Sequence, residues 1–115
     1  MTKTDDYIPA RGDIAWMVLD PRVGHEQSGR RPVLIVSHKE MAEQTGYAIV
    51  VPITSRDKGP LFSYQNPIIA AKVKGIALPL QVRSVDFRRR KAKYIEHIRG
   101  KRLEDIATTI KVLIG

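Results

Sequence analysis

The chain has 115 residues, the size of one domain with one modest core, and 43% of them are hydrophobic. It has no cysteine, which excludes disulfides, thiolate catalysis and cysteine-ligated zinc, and no apolar run approaches the ~20 residues of a membrane span. Twenty Lys and Arg against 12 Asp and Glu give a net charge of +8, a field that favours polyanions without dictating a fold.

Residues 1–9 are polar, end in Pro9 and read as an N-terminal arm without the apolar segment of a signal peptide. Residues 10–115 then form a single domain, free of repeats and linkers, and the protein is expected in the cytoplasm. Ile14 to Leu19 is a short apolar run between turn residues and predicts a buried strand. Val23 to Arg31 is a glycine- and charge-rich loop, and Pro32 opens a second strand, Val33 to Ser37. Lys39 to Gln44 suits a short helix before Gly46, and Ala48 to Ile53 is a third strand whose Pro52 suggests an edge or a bulge. A polar loop follows over residues 54–60. Phe62 to Ile69 and Lys72 to Val85 supply further strands, the latter broken at Gly75 and Pro79, and Lys93 to Ile98 is the last. From Leu103 the period changes: Leu103, Ile106, Ala107, Ile110, Leu113 and Ile114 recur every three or four residues and predict an amphipathic helix. The class is α+β, mainly β: a small barrel with a short helix and a closing C-terminal helix, which either covers the barrel or makes a dimer contact.

The positive charge is concentrated late. Between Arg83 and Arg102 nine basic residues stand against two acidic ones, the footprint of a phosphate-backbone binder. A solvated basic face, or a patch neutralised by an acidic protein, fits the same pattern. Chemistry-bearing groups gather in three segments. Gly24 to Pro32 holds an imidazole (His25), a carboxylate (Glu26), an amide and two guanidinium groups between glycines that allow close backbone approach. Pro52 to Gly59 offers the hydroxyls of Thr54 and Ser55 and the cations Arg56 and Lys58, although hydroxyls also cap turns. In Gln81 to Asp86, a strand would put Gln81 and Arg83 on one face, able to read bases or phosphates or simply to face solvent. His38 and His97 lack metal-ligand spacing and read as structural. Trp16 reads as packing, with base stacking as the alternative.

GHEQSGRRPVLIV, VPITS followed by KG, and LQVRSVD, in that order after RGDIAWMVLDP, resemble the MazF/PemK toxins from about Arg11 to the terminal Ile-Gly. The resemblance implies an SH3-like (Kid/PemK/CcdB-type) barrel, a homodimer, and a ribosome-independent endoribonuclease that cuts single-stranded mRNA at short motifs without metal or other cofactor. It matches Arg31, rather than Arg30, and Thr54 to positions linked to catalysis. Glu26, Ser55, Lys58, Gln81 and Arg83 match positions linked to RNA contact or to support of the site, Arg56 is taken with them, and His25 matches a histidine of PemK-like members. The reaction implied is attack of an RNA 2′-OH on its own phosphodiester, giving 2′,3′-cyclic phosphate and 5′-OH ends and sparing DNA. A guanidinium that holds two phosphoryl oxygens suits Arg31, with a hydrogen bond from Thr54. Glu26 or His25 can take the 2′-OH proton, or Glu26 can only orient Arg31.

One position departs from the pattern. Some relatives carry an acidic residue directly before the Gln of the QVRS segment, and here it is Leu80, which transfers no proton. Either Arg31 and Thr54 suffice, or activity is reduced, or target choice has changed. Two other functions share the fold: a non-enzymatic toxin directed at DNA gyrase, as with CcdB, and a catalytically weakened RNA-binding relative. A small acidic MazE-like antitoxin is the implied protein partner, its tail lying over the basic groove, and no membrane partner is expected.

Overall fold

The computed structural model describes residues 6–19, 29–55 and 66–115. Three strands form its centre: β1 (Asp13–Val18), β2 (Arg30–Ile35) and β3 (Tyr47–Thr54). Helix α1 (Lys39–Thr45) links β2 to β3 and ends at Gly46, whose φ of 78° is the left-handed conformation that closes a helix. β4 (Asn66–Ile69), β5 (Lys74–Ala77), a 3₁₀ turn (Pro79–Gln81), β6 (Arg83–Asp86), β7 (Lys93–His97) and α2 (Lys101–Ile114) follow.

All pairings are antiparallel, in the order β4-β5-β3-β2-β1-β7, with β6 also on β3. β3 is long enough to serve two partners on one side: Tyr47 to Val50 pair with β6, and Ile53 and Thr54 pair with β5. The sheet therefore splits at β3 and curls into a half-barrel. Both faces of the central strands are covered, which is why their sequences read as continuous apolar runs. One face packs Ile14, Leu34, Val51 and Ile53 against Ile68 and the α2 residues Leu103, Ile106 and Ile110. The other packs Met17, Val33, Ile35 and Val50 against Ala42, Val85 and Phe87. The α2 stripe thus covers the barrel, and Ile114 at its end is exposed.

Several sequence-based expectations shift. Arg30 and Arg31 belong to β2 rather than to the preceding loop, so both guanidinium groups start from a rigid strand. Pro32 lies inside β2, where β1 but not β3 pairs with it, so its missing N–H breaks no ladder bond to β3. Pro52 sits in a central strand rather than at an edge, at the point where β3 changes partner from β6 to β5. Gly75 does not break its strand but lies within β5, because a Cβ there would stand 2.6 Å from the Thr54 carbonyl oxygen. Pro79 does end the pairing, and Gln81 falls in the 3₁₀ turn instead of on a strand beside Arg83. Of the strand expected from Phe62, residues 66–69 are described as β4.

The chain before β1 is pinned. Buried Asp13 accepts hydrogen bonds from the Tyr7 hydroxyl (2.7 Å) and the Ala10 amide (3.0 Å), and its other oxygen lies 2.8 Å from His97 Nδ1. Burial, then the bond to Asp13, pushes the Tyr7 phenol well above its ordinary range. Gly12, at φ 98°, makes this crossing possible, since a Cβ would stand 2.5 Å from the Ile98 carbonyl oxygen. Among the described residues, no helix is long and apolar enough to cross a membrane.

Candidate active site

A cleft of about 600 Å³ opens where β2 and β3 diverge beyond the Val33–Pro52 pair. Its lining is Arg30, Arg31, Pro32, Pro52, Ile53, Thr54, Ser55, Lys74, Leu78 and Gln81. The first three come from the start of β2, the next three from the end of β3, Ser55 from just beyond it and Lys74 from the start of β5. Leu78 and Gln81 come from either end of the 3₁₀ segment.

Pro32 and Pro52 flank the mouth of the cleft at the end of the β2–β3 pairing. β2 and β3 are paired only as far as Val33 and Pro52, and the Pro52 carbonyl accepts the Leu78 amide at 3.0 Å. That bond ties the segment carrying Gln81 to the floor. Leu78 is buried, as are Pro52 and Ile53, so the floor is apolar while the rim is polar. Arg31, Ser55, Lys74 and Gln81 are exposed and Thr54 is half-buried. The guanidinium of Arg30 lies over the Trp16 ring, 4.5 Å from its centroid.

Three cations, two hydroxyls and an amide meet here, and no carboxylate is among the described lining residues. Such a set favours an anion with several acceptor oxygens, and a phosphodiester meets that description. Arg31, the neighbours Thr54 and Ser55, and Gln81 come from three separate segments of the chain and share this one cleft. Arg83 stands on β6 opposite Val50, outside the lining, and Leu80 is exposed and outside it too. Glu26, His25, Arg56 and Lys58 lie outside the described residues.

The late basic stripe is spread over β6, the turn at residues 87–91, β7, the link at residues 98–100 and the start of α2, and none of its members lines the cleft. Some are engaged within the chain: Arg90 Nη1 reaches the Leu19 carbonyl at 3.3 Å, and Lys101 Nζ lies 3.2 Å from Asp105 Oδ1. The cleft draws its charge instead from Arg30, Arg31 and Lys74. Sequence reading missed Lys74 because only the β3–β5 register brings it to the site. Its sole local signal was a lysine beginning an apolar run.

Comparison with known proteins places this geometry in context. A family described as PemK-like, MazF-like toxin of type II toxin–antitoxin system matches residues 10–114. The endoribonuclease toxin MazF of Escherichia coli (strain K12) is 34% identical over 109 residues, 95% of this chain and 96% of that protein. The endoribonuclease PemK of Escherichia coli is 36% identical over 105 residues, 87% of this chain and 71% of that protein. A crystal structure of MazF (Form-I) from Deinococcus radiodurans superposes with a TM-score of 0.81 at 34% identity, covering 95% of this chain and 98% of that one. A chain of the MazE–MazF structure (Form-II) from the same organism gives 0.80 at 29% identity, covering 96% and 98%.

Proposed function

The chain belongs to the PemK-like, MazF-like toxins of type II toxin–antitoxin systems, and from that premise we propose that its cleft cuts single-stranded RNA with Arg31 and Thr54 at the scissile phosphate. It is an endoribonuclease toxin, and its partner is a MazE-like antitoxin. The observation that carries the site assignment is the convergence of Arg31 and Thr54 on one cation-rich cleft.

The chemistry follows from where charge develops. The ribose 2′-oxygen attacks phosphorus, the bond from phosphorus to the 5′-oxygen breaks, and the products are a 2′,3′-cyclic phosphate and a 5′-OH. Charge builds on the non-bridging oxygens, where a guanidinium starting from a rigid strand holds two acceptors at once. The Thr54 hydroxyl donates a further hydrogen bond, and Ser55 and Lys74 hold the flanking backbone. Glu26 or His25 takes the 2′-OH proton. Leu80 transfers none, so the departing 5′-oxygen takes its proton from water. DNA, lacking the 2′-OH, binds and survives.

The protein acts in the cytoplasm as a homodimer, where the transcripts are. The antitoxin's acidic segment occupies the same cleft, so toxin bound to antitoxin does not hold RNA. Digestion of a long defined RNA by wild type, Arg31→Ala and Thr54→Ala, with mapping of the ends and their phosphate state, tests the assignment. Cyclic phosphate ends from wild type, with cleavage collapsing in both variants, support it. A folded Arg31→Ala protein that cuts at the parent rate refutes it.

A further inference from the structure

Arg30 has no part in the reaction just described, yet it lines the cleft and its side chain is held in a defined place. The guanidinium carbon lies over the Trp16 ring, 4.5 Å from its centroid, within the range of a cation–π contact. Arg30 is exposed and Trp16 half-buried, so the indole supports the guanidinium from the protein side while the cation stays open to solvent. Trp16 stands opposite Pro32 on β2 and opposite Lys93 on β7, so the three side chains share one face of the sheet. Two interstrand steps, roughly 10 Å, lead from the cleft wall at Pro32 across Trp16 to exposed Lys93.

We propose that the Arg30–Trp16 stack is a platform for the base of a nucleotide flanking the scissile phosphate, with Lys93 receiving a neighbouring backbone phosphate. The proposal rests on the ribonuclease reading of the cleft. Single-stranded RNA is bound by splaying bases onto aromatic rings or guanidinium planes, and here an indole fixes such a plane beside the reacting position. Arg30 touches the base, and Trp16 is a positioning residue acting through Arg30. A base on this plane fixes the register of the strand, so the bond presented to Arg31 and Thr54 is chosen by stacking as well as by hydrogen bonds.

The probe is a short single-stranded RNA made abasic at one nucleotide at a time. Trp16 is the single tryptophan of the chain, so its emission reports binding whether or not the RNA is cut. One abasic position should weaken wild-type binding about tenfold and bring no further loss in Arg30→Ala. Arg30→Lys keeps the charge but not the plane, and should resemble Arg30→Ala at that position. Lys93→Ala should weaken all the RNAs alike. Trp16→Phe, which keeps a ring under Arg30, should retain the position-specific loss when binding is followed by RNA anisotropy. The platform is overturned if every abasic position weakens wild type and Arg30→Ala equally, or if Arg30→Lys matches wild type. An RNA that gives the position-specific binding loss but is never cut would overturn the ribonuclease reading and leave the platform standing.

Discussion

The carboxylate of Glu96 on β7 accepts the backbone amide of Val73, just before β5, at 2.7 Å. The same oxygen accepts the Lys72 amide at 2.9 Å. β7 and the β4–β5 hairpin are opposite ends of the sheet order, so this one side chain brings the ends of the half-barrel together. Lys74, the cleft's cation from β5, follows directly. Each bond is charge-assisted and worth about 1.5–3 kcal/mol, less where water competes at the exposed Lys72 amide. Glu96→Ala should lower unfolding stability by roughly 2 kcal/mol, measured by urea titration, and raise KM for RNA as Lys74 loses its anchor. Glu96→Gln, which keeps a neutral acceptor, should fall between the two. Wild-type stability in Glu96→Ala would show that the closure is not held this way.

Gly75 offers a second route to the same cleft. A Cβ there would stand 2.6 Å from the Thr54 carbonyl oxygen and 2.9 Å from Ile53 Cγ2, and the first of these is backbone that cannot rotate away. Gly75→Ala must therefore push β5 from β3 and carry Thr54 and Lys74 out of position. The expected cost is about 1–3 kcal/mol of stability, together with a cleavage loss larger than global unfolding explains. Comparing activity with the folded fraction at the same temperature separates the two effects. Activity that merely tracks the folded fraction would mean that the strand shift leaves the site intact.

How much of this was legible depends on the range over which each feature is decided. β1, β2 and β3 were visible because burial on both faces leaves an apolar run, and α2 because its buried residues keep a helical period. Gly46 announced the end of α1 through its backbone freedom alone. Gly75 and Pro52 misled for one reason. Pro52 sits where β3 passes from one partner to another and Gly75 where β5 closes on the end of β3, so the meaning of each depends on a strand distant in sequence. Lys74 was invisible on the same grounds. Arg31 and Thr54 were singled out by resemblance, since a lone arginine and threonine carry no local signature. That they share a cleft needed the β2–β3 and β3–β5 registers together.

Tyr7 makes alkaline stability a test of the N-terminal anchor. Its phenol is raised above the ordinary 10.0, first by burial and then by the hydrogen bond to Asp13. A group whose folded value lies above its unfolded one contributes stability in full below the unfolded value and loses it as pH rises beyond. Stability should therefore fall as pH climbs above about 10, where the unfolded phenol ionises and the folded one does not. Tyr7→Phe should cost about 1 kcal/mol at pH 8 through the lost bond and flatten the alkaline decline. Denaturant titrations of both proteins from pH 8 to pH 11 measure it. Parallel curves for the two proteins would remove Tyr7 as the source.

Salt dependence distinguishes the cations along the RNA path from the rest of the basic stripe. Each phosphate neutralised on a single strand contributes about 0.7 to the slope of log affinity against log salt. With Arg31 and Lys74 in the cleft and Lys93 beside it each meeting a phosphate, the three together account for a slope of about −2. Lys74→Ala should reduce the magnitude by about 0.7, whereas Arg90→Ala should leave it unchanged, because Arg90 is turned to the carbonyls of β1's end. Anisotropy of a labelled DNA strand of matching sequence, which binds without being cut, gives the slopes directly. An unchanged slope in Lys74→Ala with a lowered one in Arg90→Ala would move the backbone path out of the cleft and onto the β6–β7 turn.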